Sequence, residues 1–183
     1  STLRHTLFPY TTLFRSVNAL SSKLTAEVRR DGALWHHGFE RGEPVGDMEK
    51  VRELEDDEGT GTEIRFWPDE EIFETTDFEF TTLESRLREL AFLNSGVRIE
   101  LDDEREEIEG EPRSQVFQFD GGIRAFVRYL NETKTPLHQD VVYFEDEEEG
   151  VRIEVAMQVT DELQGSVHSF ANNINTREGG THL

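Results

Sequence analysis

The chain has 183 residues, 40 of them acidic and 19 basic, so its formal net charge is −21. Leu, Ile, Val and Phe make up about 27% of the residues, which excludes a chain that is disordered throughout. The acidic excess excludes binding to nucleic acid or to an anionic membrane by simple charge attraction, and the absence of cysteine excludes disulfides, cysteine-ligated zinc and thiol chemistry.

The basic residues are 16 arginines and only three lysines. A net charge this large destabilises a compact state unless salt screens it, and at about 1 M salt the Debye length is only about 3 Å. We interpret both biases as adaptation to a high-salt cytoplasm, with a nucleic-acid mimic and a calcium-binding acidic module as alternatives. Because we find neither a membrane-spanning stretch nor a signal-peptide pattern, we expect a cytoplasmic protein with no membrane partner.

Alternation of apolar and polar residues with a period of two predicts β-strands. It occurs, in chain order, at residues 24–28, 64–66, 97–101, 117–119 and 151–159, with a further apolar strand at 141–144. The acidic residues 145–150 between the last two strands predict a hairpin with a charged turn. Alternation of this kind is typical of an antiparallel sheet with one face in solvent.

Two segments have helical spacing. A capping-box pattern at Thr81 and Glu84 predicts the start of a helix that ends at Asn94. A second helix is predicted behind two glycines, where apolar residues recur at i, i+3, i+4 and i+7: Ile123, Phe126, Val127 and Leu130. The irregular order of strands and helices favours an α+β architecture, with a boundary at residues 135–140.

The densest glycine pattern is GTGT at 59–62, directly before a predicted strand. Such backbone can line a nucleotide pocket, but a loop that simply enters a strand explains the pattern as well. Neither a P-loop nor a dinucleotide fingerprint is present. The histidines lack metal-ligand spacing, since His36 and His37 would point to opposite faces of a strand, and we predict no metal site.

Seven segments, taken together, resemble the B subunits of DNA gyrase, which are the ATPase subunits of bacterial-type type II topoisomerases. They are VNALS at 17–21, RDG at 30–32, TGTEIRFWP at 60–68, RLRELAFLNSG at 86–96, GGI at 121–123, YLN at 129–131 and NNINTREGGTHL at 172–183. The resemblance covers residues 17–183. Residues 1–16 do not fit it, and we interpret them as a non-native, adapter-like segment.

The resemblance implies a fold and a domain map. Residues 17–140 would be the second half of the ATP-binding sandwich of the gyrase, Hsp90, histidine-kinase and MutL (GHKL, or Bergerat) superfamily, a mostly antiparallel sheet under helices. Residues 141–183 would begin the α/β transducer domain.

The resemblance also implies a binding site. Thr62 would hydrogen-bond the adenine of ATP, partly through water, with Gly61 and Ile64 alongside. Arg30 matches an arginine at the pocket rim that also contacts aminocoumarin inhibitors. The family's catalytic Glu, its magnesium-binding Asn, its adenine-binding Asp and its glycine-rich phosphate lid match nothing in these 183 residues, so we assign no catalytic or metal-binding residue here.

For the intact protein, the resemblance implies ATP and Mg²⁺ as cofactors, a homodimer of B subunits that closes when ATP binds, and the gyrase A protein together with DNA as partners. It implies ATP-dependent DNA supercoiling as the activity. We expect the 183 residues alone to be an inactive fragment that neither hydrolyses ATP nor binds it tightly. The alternatives are a fragment of the corresponding ATPase protein of topoisomerase IV and a non-enzymatic acidic binding module from a halophile.

Overall fold

The computed structural model describes residues 14–108 and 111–176, with side chains described for 14–105 and 112–176. These residues divide between two compact units, Ser1–Asp77 and Phe78–Leu183. The division into residues 1–16, 17–140 and 141–183 stays a prediction. Most of the adapter-like segment and the last seven residues of the NNINTREGGTHL motif lie outside the described residues.

The first unit is a five-stranded antiparallel sheet preceded by a short helix. Its elements are α1 (Arg15–Ala19), β1 (Ser21–Arg30), β2 (Ala33–Glu40), β3 (Glu43–Pro44), β4 (Glu49–Glu53) and β5 (Gly61–Pro68). Strand β1 lies between β2 and β5, while β3 and β4 both pair with β2. The helix α1 begins inside the segment 1–16 that we interpret as non-native.

The turn between β1 and β2 determines the register of the sheet. Asp31 and Gly32 both have positive φ, 53° and 71°, which is the two-residue turn that matches the twist of a hairpin. The turn pairs Arg30 with Ala33, and the ladder continues to Lys23 opposite Glu40. Asp-Gly is a strong hairpin signal and could have predicted strand β2, but the strands predicted from the sequence did not include it.

The second unit contains two helices and three separate hairpins. Its elements are α2 (Phe80–Leu93), β6 (Arg98–Ile108), β7 (Glu111–Gln118), α3 (Gly122–Leu130), β8 (Val142–Glu148), β9 (Val151–Met157), β10 (Phe170–Ala171) and β11 (Ile174–Asn175). Every strand pair in both units is antiparallel across the described residues, which confirms the predicted α+β class. No helix in this described part is both long and apolar enough to cross a membrane.

Three predicted details are wrong. Helix α2 begins at Phe80 with Glu79 as its N-cap and no side-chain cap, so Thr81 lies within the helix and the capping box does not form. Glu84 instead accepts a hydrogen bond from Arg88 Nη2 at 2.5 Å, one turn along. Thr81 is not the N-cap because the helix already includes the residue before it, Phe80, which is buried.

The other two errors concern the hairpin of β8 and β9. The acidic residues 145–148 belong to strand β8, and only Glu149 and Gly150 form the turn, with φ of 52° and 79°. Strand β9 ends at Met157, because the carbonyl of Val159 accepts a hydrogen bond from the amide of Leu137 rather than continuing the hairpin ladder. The four consecutive carboxylates at 145–148 can belong to a strand because all four residues are exposed to solvent.

A buried carboxylate in the second unit makes its stability depend on pH. Asp103, on β6, is 8% exposed and accepts hydrogen bonds from Arg105 Nε at 2.9 Å and Nη2 at 2.7 Å. These bonds, and a third from the Arg105 amide, lower the pKa of Asp103 to about 2. Arg105 also donates to the carbonyl of Phe78, so the pair joins β6 to the start of α2.

We predict that the second unit loses stability as the pH falls from about 4 towards 2. The folded-state pKa of Asp103 lies below its usual value of 3.8, so the ion pair stabilises the fold above that pH and is lost on protonation. The Asp103→Asn variant should show a shallower fall in unfolding free energy over this range in urea titrations. Asp102→Asn, at the exposed neighbouring position, is the control. Equal slopes for the two variants would contradict the prediction.

Candidate functional site

One face of the five-stranded sheet bears a small, almost entirely apolar cavity of about 110 Å³. Its walls come from β1, β2, β5, α1 and the segment before β4. The lining residues are Phe14, Asn18, Leu24, Ala26, Val28, Trp35, His37, Phe39, Met48, Thr62 and Ile64. The sequence therefore builds the cavity from alternate positions of three adjacent strands.

Strand register explains why these residues meet. Side chains two apart on a strand share a face, so Leu24, Ala26 and Val28 of β1 point the same way. Val28 lies opposite Trp35 on β2 and opposite Thr62 on β5, and Ala26 lies opposite Ile64. A shift of one residue in either pairing would move the whole apolar set to the other face of the sheet.

Two of the four predicted site residues line this cavity. Thr62 and Ile64 are neighbours on the same face of β5, and Thr62 supplies a hydroxyl at the exposed margin of an otherwise apolar wall. Gly61 is not a lining residue. It pairs with Arg29, and a Cβ built at this position would lie 2.8 Å from Arg29 Nη2. The absence of a side chain at Gly61 gives the guanidinium room to lie across the strand.

Arg30, the fourth predicted residue, lies at the end of β1 and outside the cavity lining. Strand alternation puts it on the same face as Val28, but its side chain is 58% exposed and its Nε lies 3.2 Å from Asp31 Oδ2. The backbone carbonyl of Arg30 accepts a hydrogen bond from Trp35 Nε1 at 3.4 Å. This bond ties the indole to the end of β1.

The residues that β2 contributes were not predicted from the sequence. Trp35 and Phe39 form one wall of the cavity, with Met48 nearby. The signal was available, because the Asp31-Gly32 turn is followed by large residues at alternate positions. Histidines between them obscured the pattern: His37 faces the cavity, whereas the ring of His36 lies 3.6 Å from Glu27 on the other face.

The loop that leads into Thr62 is held by an ion pair. Arg52 donates to both carboxylate oxygens of Glu58 at 2.5 Å, and this bonding lowers the pKa of Glu58 to about 2. Arg29 Nε donates to the carbonyl of Gly59 at 3.3 Å. The GTGT segment is therefore a loop that enters a strand, anchored on both sides, with its last threonine at the cavity.

The size and chemistry of the cavity limit what it can hold. Pockets for drug-sized ligands measure about 300–1,000 Å³, so this cavity matches a single flat ring system rather than a whole nucleotide. Asn18 Oδ1 is buried and accepts no hydrogen bond from the described residues. Within residues 14–105 and 112–176, no three or more His, Asp or Glu side chains are grouped so that they could hold a metal ion.

Comparison with known proteins supplies the family. The sequence model of the DNA gyrase B family matches residues 122–183. The DNA gyrase B protein of Haloferax volcanii is 68% identical over 168 residues, which is 91% of this chain and 26% of that protein. Over these 168 residues, the chain belongs to the DNA gyrase B family. The gyrase B of Halalkalibacterium halodurans is 49% identical over 91% of the chain and 25% of its own length.

Solved structures of gyrase B share this fold. The gyrase B of Myxococcus xanthus is 29% identical and superposes with a TM-score of 0.75, covering 88% of this chain and 46% of that one. The 43K ATPase domain of Thermus thermophilus gyrase B, solved with an aminocoumarin, is 30% identical with a TM-score of 0.75 over 92% and 45% of the two chains. The chain thus spans about a quarter of the length of the curated gyrase B proteins named above. The Haloferax relative also supports the high-salt interpretation of the composition.

Proposed function

We propose that this sequence is the part of an ATP-dependent type II DNA topoisomerase that holds the adenine of the nucleotide and leads on to the transducer. The observation that carries the proposal is the apolar cavity at which Thr62 and Ile64 meet Val28 and Trp35. An apolar slot with a few polar groups at its margin is the usual form of a site for a flat heterocycle. The gyrase B relatives support the same role.

Four of the cavity residues have distinct tasks in this proposal. Ile64 and Val28 present aliphatic surface to the faces of the base, and Trp35 closes one side. The Thr62 hydroxyl can both donate and accept, which suits a base edge that has an amino group beside a ring nitrogen. Burial of the base in this apolar site strengthens these hydrogen bonds, because water no longer competes for them.

The remaining parts of the cycle belong to the whole gyrase B protein. In our proposal, the phosphates of ATP and the Mg²⁺ that neutralises them are bound by residues outside this chain. ATP binding closes a homodimer of gyrase B, and that closure is coupled to DNA passage by the complex with the gyrase A protein in the cytoplasm. Arg30 remains our proposed contact at the rim of the pocket.

A chimeric gyrase B tests the proposal. Residues 17–183 of this chain should replace the matching segment of Haloferax volcanii gyrase B, to which they are 68% identical. We expect ATP-dependent supercoiling in molar KCl when the gyrase A protein is added. Ile64→Asp in the chimera should weaken binding of a non-hydrolysable ATP analogue at least about 100-fold, equivalent to about 2.7 kcal/mol, because it puts an unpaired charge against the base.

The matched control is Val51→Asp, on β4 of the same sheet, where the side chain is 55% exposed. This variant should bind the analogue like the parent chimera. A folded chimera without ATP-dependent activity, or equal binding by both aspartate variants, would overturn the proposal.

A further inference from the structure

The turn between β2 and β3 is linked to three other parts of the first unit. Its two residues, Arg41 and Gly42, have φ of 46° and 88°, so both are left-handed. Glycine adopts this conformation freely, but arginine does so at a cost in backbone energy. Such a conformation persists only where surrounding contacts stabilise it, and the side chain of Arg41 makes contacts of this kind.

The guanidinium of Arg41 contacts two carboxylates that follow β5. Its Nε lies 3.0 Å from Asp69 Oδ2 and its Nη2 lies 2.6 Å from Glu71 Oε1. The two carboxylates differ in environment, since the Asp69 side chain is only 6% exposed and that of Glu71 is 73% exposed. The pair with Asp69 is therefore the one that salt screens least.

Asp69 and Gly42 are each bonded to the segment that contains α1. The amide of Asp69 donates to the carbonyl of Leu20, directly after α1, at 3.1 Å. Asn18 Nδ2 donates to the carbonyl of Gly42 at 3.1 Å. The turn also approaches the helix closely, because a Cβ at Gly42 would lie 3.5 Å from the Cα of Ala19. The contacts form a closed ring from α1 to Gly42, through Arg41 to Asp69, and back to Leu20.

One member of this ring, helix α1, also supplies part of a wall of the cavity. Asn18, on α1, lines the cavity and lies in the family-like part of the chain, whereas Phe14, which also lines it, belongs to the segment 1–16 that we interpret as non-native. Helix α1 has only five residues, too few to be stable without tertiary contacts. We propose that Arg41, through its ion pair with buried Asp69, is a positioning residue that holds α1 against the sheet as a wall of the cavity. The importance of that wall for nucleotide binding rests on the proposed function.

Amide hydrogen exchange on the 183-residue chain in molar KCl tests the inference without any nucleotide. The amides of Asn18 and Leu20 donate to Phe14 and Ser16, so their protection reports on α1 directly. Arg41→Gln should reduce this protection about tenfold, since it leaves Asp69 buried without its cation, while protection along β1 stays unchanged. Arg41→Lys, which keeps the charge but not the two-pronged contact, should restore part of the protection.

Two further variants make the result decisive. Arg65→Gln removes an exposed ion pair with Glu63 on β5, in the same sheet, and should leave α1 protected. Asn18→Ala removes the bond to Gly42 without altering a charge, and should reduce Leu20 protection as Arg41→Gln does. Unchanged α1 protection in both the Arg41→Gln and Asn18→Ala variants, or an equal loss in α1 and β1, would overturn the inference. Because no ATP is used, that outcome is separate from failure of the chimera.

Discussion

Replacing Phe92 with alanine should destabilise the second unit by about 3–5 kcal/mol, the usual cost of removing a buried aromatic side chain. Phe92, on α2, is 3% exposed and its ring stacks on Phe119 with a centroid distance of 3.7 Å. The rings of Phe126 and Tyr129, both on α3, lie 5.3 Å from it. A single side chain thus joins two helices to the end of strand β7.

The expected loss is large compared with the total stability of a typical domain, about 5–15 kcal/mol. Urea unfolding followed by circular dichroism in molar KCl gives the unfolding free energy directly. Phe144→Ala is the control, because Phe144, on β8 of the same unit, is 51% exposed and should cost less than about 1 kcal/mol. Equal costs for the two phenylalanines would show that the cluster around Phe92 is not the core of this unit.

Transfer from about 1 M KCl to about 10 mM KCl should abolish the cooperative melting of the chain. The Debye length grows from about 3 Å to about 30 Å over this range, so the net charge of −21 repels itself across the whole molecule. Few of the described carboxylates are buried, and three of those with cationic partners, Asp31, Glu53 and Glu71, are more than 70% exposed. Exposed pairs of this kind contribute little and cannot replace the missing screening.

Thermal melting followed by circular dichroism, at a series of KCl concentrations, measures this effect. Replacing Glu147, Glu148 and Glu149 with glutamine lowers the negative charge at the exposed tip of the β8–β9 hairpin. The KCl concentration at the folding midpoint should then fall. A chain that melts identically at about 10 mM and 1 M KCl would contradict the high-salt interpretation of the composition.

Periodicity predicted most of the secondary structure because it depends on local packing alone. Alternation located β1, β5, β6, β7 and β9, and the 3.6-residue period located both long helices. Local chemistry was less reliable at element ends. The Thr81 capping box was displaced by the buried Phe80, and the acidic run at 145–148 formed a strand rather than a loop.

The candidate site was also only partly predictable from the sequence. Thr62 and Ile64 were named from the resemblance to gyrase B, and they line a cavity whose opposite wall, formed by Trp35 and Phe39, was not predicted from the sequence. Gly61 was expected beside them, but its contact is with Arg29. Strand neighbours on β5 are close in sequence, whereas partners across the sheet are tens of residues apart.

By itself, the sequence determined the α+β class, the family resemblance and the acidic character of the chain, because periodicity, motif spacing and charge are properties of residues in order. Only the tertiary structure decided which face of the sheet is apolar, that Arg30 lies outside the cavity lining, and that Arg41 reaches the buried Asp69. These depend on strand register and on a turn that brings residues 28 positions apart into contact. A one-residue change in pairing would reverse them without altering any local pattern.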